Sequence, residues 1–561
     1  MCSSDLKGKY VLLLVDGGTI NHKRLINVSL SHEGESYFYE SFPVSDTTSA
    51  AISKLLNQIR EDLAKDEVNV VGMVSDNASN MILASEIIQA MSDEDAENDE
   101  IEDDFMRELL KDPIDLGDGR YFVHIRCWAH TFQLVLNDAF RVPSLAALWK
   151  TASDVITCFS NSAKNAQLLK EMTKNTGDSG NFDGFSIIKG CATRWSSKVA
   201  AMYRLYEIGQ ETLSHFVKNL PENFCDQLLL AVALLFHICS ATNDVQGDDV
   251  TLIKAIPILA NVKSQYDSLA AKTWKSHTVF AKEIVQAICE SLEQRIDQNF
   301  TNVAVSHIKL LTPPFNFSDS KVKIQLASEV QPLFPGSDVL NELNQIQADW
   351  NKFAKDEEQR KKACMSNKEI FTTVNYTFES FWQSKKGAYA IFPLYADIIK
   401  SMALTEAHVE RIFSIQSSVH SKSRNRMGIE TTNAFLTLND AANRAKKKLR
   451  PEKLFKPECV TRNLFPAKLY MRVIQQFAED KPREVLEAEL ITRGCRTRST
   501  IKAAVAKLQV PAFGTKVRII YRGQPVNGVI LSHPHEATMK VHLEHNELIE
   551  ISPTENFTVI A

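Results

Sequence analysis

Two apolar runs in this sequence end in aspartate: "YVLLLVD" closes on Asp16 and "VNVVGMVSD" on Asp76. Runs that are apolar throughout suit strands buried on both faces. Gly17 and Gly18 follow the first Asp and Asn77 follows the second. A single carboxylate at a strand end is ordinarily a turn residue. Two of them on neighbouring strands of one sheet would emerge at the same edge, where oxygen donors suit a hard cation such as Mg²⁺. Carboxylates shared between two such ions serve both the attacking and the leaving oxygen of a phosphodiester. A third carboxylate stands far along the chain in "TEAHVERIFS". Val409, Ile412 and Phe413 fall on one side of a helix there, with Glu410 at the rim of the stripe. A carboxylate at the edge of a core is costly unless something positive meets it. Glu410 is therefore the candidate third ligand, with a salt bridge to a neighbour as the plainer alternative.

Such a site needs a sheet and a helix docked on it. "RLINVSLSHE" and "SYFYESFPV" alternate in part, as two further strands would. Residues 49 to 66 have helical periodicity and start at a serine, and "ASNMILASEIIQAM" reads as another helix. The run "SDEDAENDEIEDD" reads as a solvated loop. "YFVHIR" resumes as a strand and "WAHTFQLVLNDAF" follows as a helix. Strands alternating with helices predict an α/β layer with a mixed sheet. Segments such as "DQLLLAVALLFHICSA" and "HTVFAKEIVQAICESLEQRI" are helical in pattern. They predict a large all-α insertion over 146–385 that interrupts a core made of 8–145 and 386–445. Residues 446–510 form a basic helical linker with Arg493, Arg496 and Arg498. From 513 onward "TKVRIIY", "VNGVILSH", "TMKVHLE", "LIEIS" and "FTVI" are five short strand candidates. They predict a small β-barrel of SH3 or Tudor type over 511–561.

Composition narrows the classes. The 561 residues are 44% hydrophobic and 24% charged, as in an ordinary globular chain. No apolar run was expected to reach membrane-spanning length, and Asp5 and Lys7 ahead of the first apolar run do not suit a signal peptide. The ten cysteines are scattered without a CxxC pair, which fits a reduced intracellular setting. The net charge of −5 means that any nucleic-acid surface is a local patch. His124, Cys127 and His130 recur every three residues, a spacing open to zinc. A strand-to-helix junction divides them and no fourth ligand is visible, so no structural zinc is expected.

"VGMVSDNASNM", "RCWAHTFQLVL", "CATRWSS" and the stretch from "FPLYADIIKSMALTEAHVERIFS" to "NRMGIETTNAFLTLND" occur in the order found in hAT-superfamily transposases, and the sequence resembles that family from about residue 10 to 440. The resemblance implies a ribonuclease-H-like catalytic domain interrupted by helices. It implies Asp16, Asp76 and Glu410 as catalytic ligands of Mg²⁺ or Mn²⁺. Cys127 and His130 match the family's CxxH motif near the active site. Arg194 and Trp195 match its "RW", whose tryptophan stacks on a displaced base. The plainer readings are a core tryptophan and an arginine paired for support, while Arg411 suits either a salt bridge or a DNA phosphate. The segment carrying Ile412, Phe413, Phe435 and Leu436 resembles the dimerisation region. DNA and a second copy of the chain are the implied partners, and the nucleus the implied location; no membrane partner is expected.

The family's BED-type zinc finger has no counterpart ahead of residue 10 in this sequence. That departure makes a domesticated, catalytically silent chromatin-associated dimer the alternative expectation to a DNA strand-transfer enzyme. The C-terminal barrel is expected either to take a histone tail or other peptide, or to pack on DNA.

Overall fold

The computed structural model describes residues 5–20, 23–76, 81–82, 84, 123–174, 184–188, 195–247, 250–300, 303–315, 320–367, 376–419, 428–449, 467–480, 516–521, 524–535, 538–543, 548–551 and 557–559. The acidic run, most of the helix expected over 78–91, Arg194, and residues 450–466 and 481–510 of the basic linker, with Arg493, Arg496 and Arg498, lie outside the described residues. The chain divides into two compact units. The first comprises Met1–Trp128, Gln246–Ala255 and Asp297–Leu454. The second comprises Ala129–Val245, Ile256–Ile296 and Phe455–Ala561.

The first unit is built on a five-stranded mixed sheet of β1 (Tyr10–Ile20), β2 (Lys23–His32), β3 (Glu35–Pro43), β4 (Asn69–Ser75) and β5 (Val123–Arg126). Their order is β3-β2-β1-β4-β5. The first three strands form an antiparallel meander, and β4 and β5 run parallel to β1. Helix α1 (Ser49–Lys65) starts at the serine that the sequence pattern indicated and is capped by Thr48, whose hydroxyl accepts the Ala51 N–H. Ile52, Leu56, Ile59 and Leu63 of α1 pack on Val11, Leu13, Val15, Val28 and Leu30, which share one face of the sheet. By the strand register, the other face presents Leu12, Leu14, Asp16 and Gly18 on β1 beside Ser31, Ser29, Asn27 and Leu25 on β2.

Helix α2 (Trp128–Phe140) follows β5 directly. Its first residue, Trp128, belongs to the first unit, where its N–H donates to Leu404 O at 3.0 Å and its ring packs edge-on against Phe300. The later helices of the unit include Val339–Asn367, α3 (Phe392–Ser401), α4 (Ala407–Val419) and α5 (Ile429–Leu449). The start of α3 is held from elsewhere. Glu342 accepts hydrogen bonds from the N–H groups of Ala390, Ile391 and Phe392 at 2.8–2.9 Å. A carboxylate there satisfies N–H groups that the helix itself cannot and complements its dipole.

In the second unit the helix Phe224–Val245 is long and apolar enough, by length and composition, to cross a membrane. This corrects the expectation drawn from the unbroken apolar runs alone, because His237 and Ser240 interrupt the run without ending the helix. In the structure 78% of its most apolar window is buried, as in a core helix. The Tyr266 hydroxyl donates to its Leu234 carbonyl at 2.7 Å, and Tyr470 stacks on Phe236. The tail holds five strands where the sequence placed them: β8 (Lys516–Tyr521), β9 (Gln524–His535), β10 (Thr538–Leu543), β11 (Leu548–Ile551) and β12 (Phe557–Val559), after the short pair β6 (Lys272–Trp274) and β7 (Ala478–Asp480). The five form an antiparallel sheet in the order β11-β10-β9-β8-β12. The expected barrel is not closed. β11 and β12 end the order and do not pair with each other among the described residues, and closure requires that last pairing.

His237 sits in an aromatic surround of Phe236, Tyr266 and Tyr470. Its Nε2 has no hydrogen-bond partner among the described residues, and burial pushes its pKa down to about 3. An unfolded chain protonates this ring near 6.5. Stability is therefore complete above that pH and falls as the pH drops toward the folded value. Between pH 6.5 and 5 the loss from this one group is about 2 kcal/mol. Urea unfolding at pH 7 and pH 5 should show His237→Phe losing less stability than the unaltered chain by about that amount. Equal losses would remove His237 as a cause.

Candidate functional site

The strand register decides where the first two carboxylates stand. Val15 on β1 pairs with Ser75 on β4 in parallel, so Asp16 is level with Asp76, the residue just after β4; Asp16 does not end its strand as expected, because β1 continues to Ile20 by pairing with β2. Both carboxylates are half-buried. Asp16 also pairs across β1 with Asn27 on β2, which puts it on the face opposite α1.

Helix α4 covers that face through residues four apart. His408 Nδ1 meets Ser29 Oγ at 3.1 Å, Ile412 is buried against Phe38 and Leu436, and Gln416 Oε1 accepts from Asn27 Nδ2 at 3.1 Å. The Ser41 hydroxyl donates to Asn27 Oδ1, and Gln416 Nε2 reaches Ser41 Oγ at 3.4 Å. Asn27 and Gln416 are both 0% exposed, so these bonds satisfy polar groups that water does not reach. Phe413 contacts the sheet further along β1. A Cβ on Gly18 would lie 2.7 Å from its Cε1, so the ring occupies the space that a side chain at 18 would take. Glu410 lies about 60° around the helix from Phe413, on the flank that meets β1. Arg411 is on the other flank and lines a pocket with Ser31, Ser36, Thr405 and His408. Glu410 is half-buried, at the rim of the docked stripe.

Helix α5 covers β3, the edge strand. Its Asp440 Oδ2 accepts the Phe38 N–H at 2.9 Å, and its Asn433 Oδ1 accepts the Ser41 N–H at 3.1 Å. Side chains thus take up edge N–H groups that would otherwise invite another strand. Burial works to raise the Asp440 carboxyl, but the bonds from His408 and Phe38 and the Arg444 charge outweigh it, holding it below its ordinary value. Of the four residues taken as dimerisation contacts, Ile412 and Leu436 lie in the core of the first unit and Phe413 packs at Gly18. Phe435 is 43% exposed, and Leu438, one turn on, is 68% exposed. The sequence pattern did not single out Leu438.

Just past β5, level with Asp76 on the adjacent strand, the Cys127 N–H donates to Ser75 O at 2.8 Å. His124 is not grouped with Cys127 and His130. Its Nε2 lies 3.0 Å from Ser75 Oγ, and burial, with Arg126 nearby, pushes its pKa down to about 3. Glu406, just before α4, is fully buried in the first unit, and its carbonyl accepts the N–H groups of Val409 and Glu410. The only sequence signal of Glu406 is that it is a second carboxylate four residues before Glu410. Trp195 begins the helix Trp195–Ile208; its side chain and all of Arg194 lie outside the described residues.

Residues 360–442 match the family pattern described as the hAT family C-terminal dimerisation region. The match takes in α3, α4 and most of α5, including Glu406 and Glu410, and supports membership of the hAT family. No curated protein matches the chain.

The Gly18–Phe413 contact is directly testable. Gly18→Ala forces the ring to move and should destabilise the protein by about 1–3 kcal/mol. Phe413→Ala leaves room for that methyl group, so the same glycine replacement should cost much less in the Phe413→Ala background. Urea unfolding of the four proteins measures this, and additive losses would contradict the contact.

Proposed function

We propose that this protein is a hAT transposase-like, metal-dependent DNA strand-transfer enzyme acting as a dimer in the nucleus, with Asp16, Asp76 and Glu410 as its catalytic carboxylates. The observation that carries the proposal is the parallel register of β1 and β4, which puts Asp16 and Asp76 side by side on a sheet whose open face is covered by the helix bearing Glu410. The order β3-β2-β1-β4-β5, with an antiparallel meander followed by parallel strands, supports a ribonuclease-H-like core. The match over 360–442 supports self-association.

The donor set fits a hard divalent cation such as Mg²⁺ or Mn²⁺, since all three side chains offer carboxylate oxygens and all are half-buried. When bound, such ions neutralise phosphate charge and activate the attacking oxygen. The protein's own share is positional. Two ligands are fixed by the strand register. The third rides on a helix pinned by Asn27–Gln416 and Gly18–Phe413. Water attacks a phosphodiester at the end of the mobile element, and the freed 3′ hydroxyl then attacks a second phosphodiester. Orientation of the reacting atoms supplies much of the rate.

The test is nicking of a plasmid that carries the terminal repeats flanking the gene, with the full chain and Mg²⁺ or Mn²⁺. Nicking should require the metal and fall by at least about a hundredfold in Asp16→Asn, Asp76→Asn and Glu410→Gln. Metal-independent nicking, or none beyond that of the Asp76 variant, would favour a catalytically silent DNA-associated dimer.

Self-association is tested separately. Phe435 and Leu438 present adjacent apolar side chains on α5, within the matched region. Phe435→Asp with Leu438→Asp should weaken the dimer at least tenfold by sedimentation while leaving the circular dichroism spectrum unchanged. Leu436→Asp should instead unfold the protein, because it places a charge in the core.

A further inference from the structure

We propose that a cavity of the first unit, at the β2–β3 turn and the start of α4, binds a phosphate-type oxyanion with Arg411 as its cation. The cavity is lined by Ser31 and Ser36 of the hairpin, by Gln246 and Gly247, by Thr405 ahead of α4, and by His408 and Arg411 on its first turns. All of these residues belong to the first unit.

Four of the lining side chains are uncommitted. Ser31, Ser36, Gln246 and Thr405 make no side-chain hydrogen bond among the described residues. Ser31 is 1% exposed, and a hydroxyl at that depth ordinarily has a partner. Ser31 and Ser36 are register partners across β2 and β3, which sets their Cβ atoms on one face about 4.5–5.5 Å apart. Hydroxyl and amide groups gathered in this way donate to the oxygens of a ligand.

Charge decides which ligand suits them. The guanidinium of an arginine presents a planar fork of donors that matches phosphate oxygens. α4 begins at the cavity, where Ala407 lines it, and the start of a helix favours an anion. His408 forms a wall, since its ring nitrogens already meet Ser29 and Asp440. No Asp or Glu lines the cavity among the described residues; Asp248 and Asp249, next to Gly247 in sequence, lie outside them. Ser31 is level with Leu12, four residues before Asp16 on β1, or about 13 Å along the strand. The site therefore stands apart from the proposed carboxylate centre and does not rest on the catalytic reading.

The test is calorimetric titration of the full chain with inorganic phosphate, in chelator and at constant ionic strength, so that neither metal-bound phosphate nor bulk salt contributes. One equivalent should bind saturably. Arg411→Gln should weaken that binding at least about tenfold, and Ser31→Ala with Thr405→Val at least about threefold, with unchanged circular dichroism spectra. Asp248→Asn with Asp249→Asn should bind phosphate at least as tightly as the unaltered chain. Duplex DNA as competitor identifies where the group comes from. Displacement of phosphate, with a smaller salt dependence of DNA binding in Arg411→Gln, assigns it to a DNA phosphodiester; no displacement assigns it to a free phosphate ester. The proposal is overturned if no saturable binding develops, or if either the Arg411 variant or the hydroxyl pair binds like the unaltered chain. It is equally overturned if the Asp248 and Asp249 variant binds more weakly.

Discussion

A closed ring of buried hydrogen bonds, Asn27–Gln416–Ser41, holds the first unit in its arrangement. Asn27 stands beside Asp16 in the strand register, and Gln416 lies near the end of the helix that carries Glu410. Inside a protein, a polar group without a partner costs about 1–3 kcal/mol. A slip of α4 by one residue would strand Asn27, Ser29 and Gln416 together. The polar seam thus discriminates against neighbouring registers more sharply than apolar contact could, because apolar contact is tolerant of small shifts.

The rest of the unit is organised around that seam. Gly18 leaves room for Phe413, which settles how the helix lies along β1. His408 bridges Ser29 and Asp440 and so couples α4 to α5. Asp440 and Asn433 then close the edge of β3. Glu342 sets the start of α3, the helix that leads into Glu406 and α4. Each connection joins segments far apart in the chain, and each places a charged or polar side chain where a helix end or a strand edge lacks partners.

Glu410 lies at the rim of the stripe that docks α4 on the sheet, beside Phe413. Glu406, just before α4, is fully buried, and its carbonyl starts the hydrogen-bond ladder of that helix. The same helix also divides inward from outward surfaces. Ile412 and Leu436 close the core, while Phe435 and Leu438 remain available on the outer side of α5.

Much of the local architecture was legible from residue order. The apolar runs before Asp16 and Asp76, the meander over 24–44, the stripe of Val409 and Ile412 and the five C-terminal strands all show periodicities that depend on neighbours within a few residues. Other features depend on which strand lies beside which. The pairing of Val15 with Ser75 and the partnership of Asn27 with Gln416 join segments tens to hundreds of residues apart. No local pattern encodes such distances. Whether five strands close into a barrel or stay open is likewise decided by one long-range pairing. So is the exposure of Phe435 beside buried Leu436, since adjacent residues on a helix differ by about 100° and only the packed neighbour determines which of them is inside.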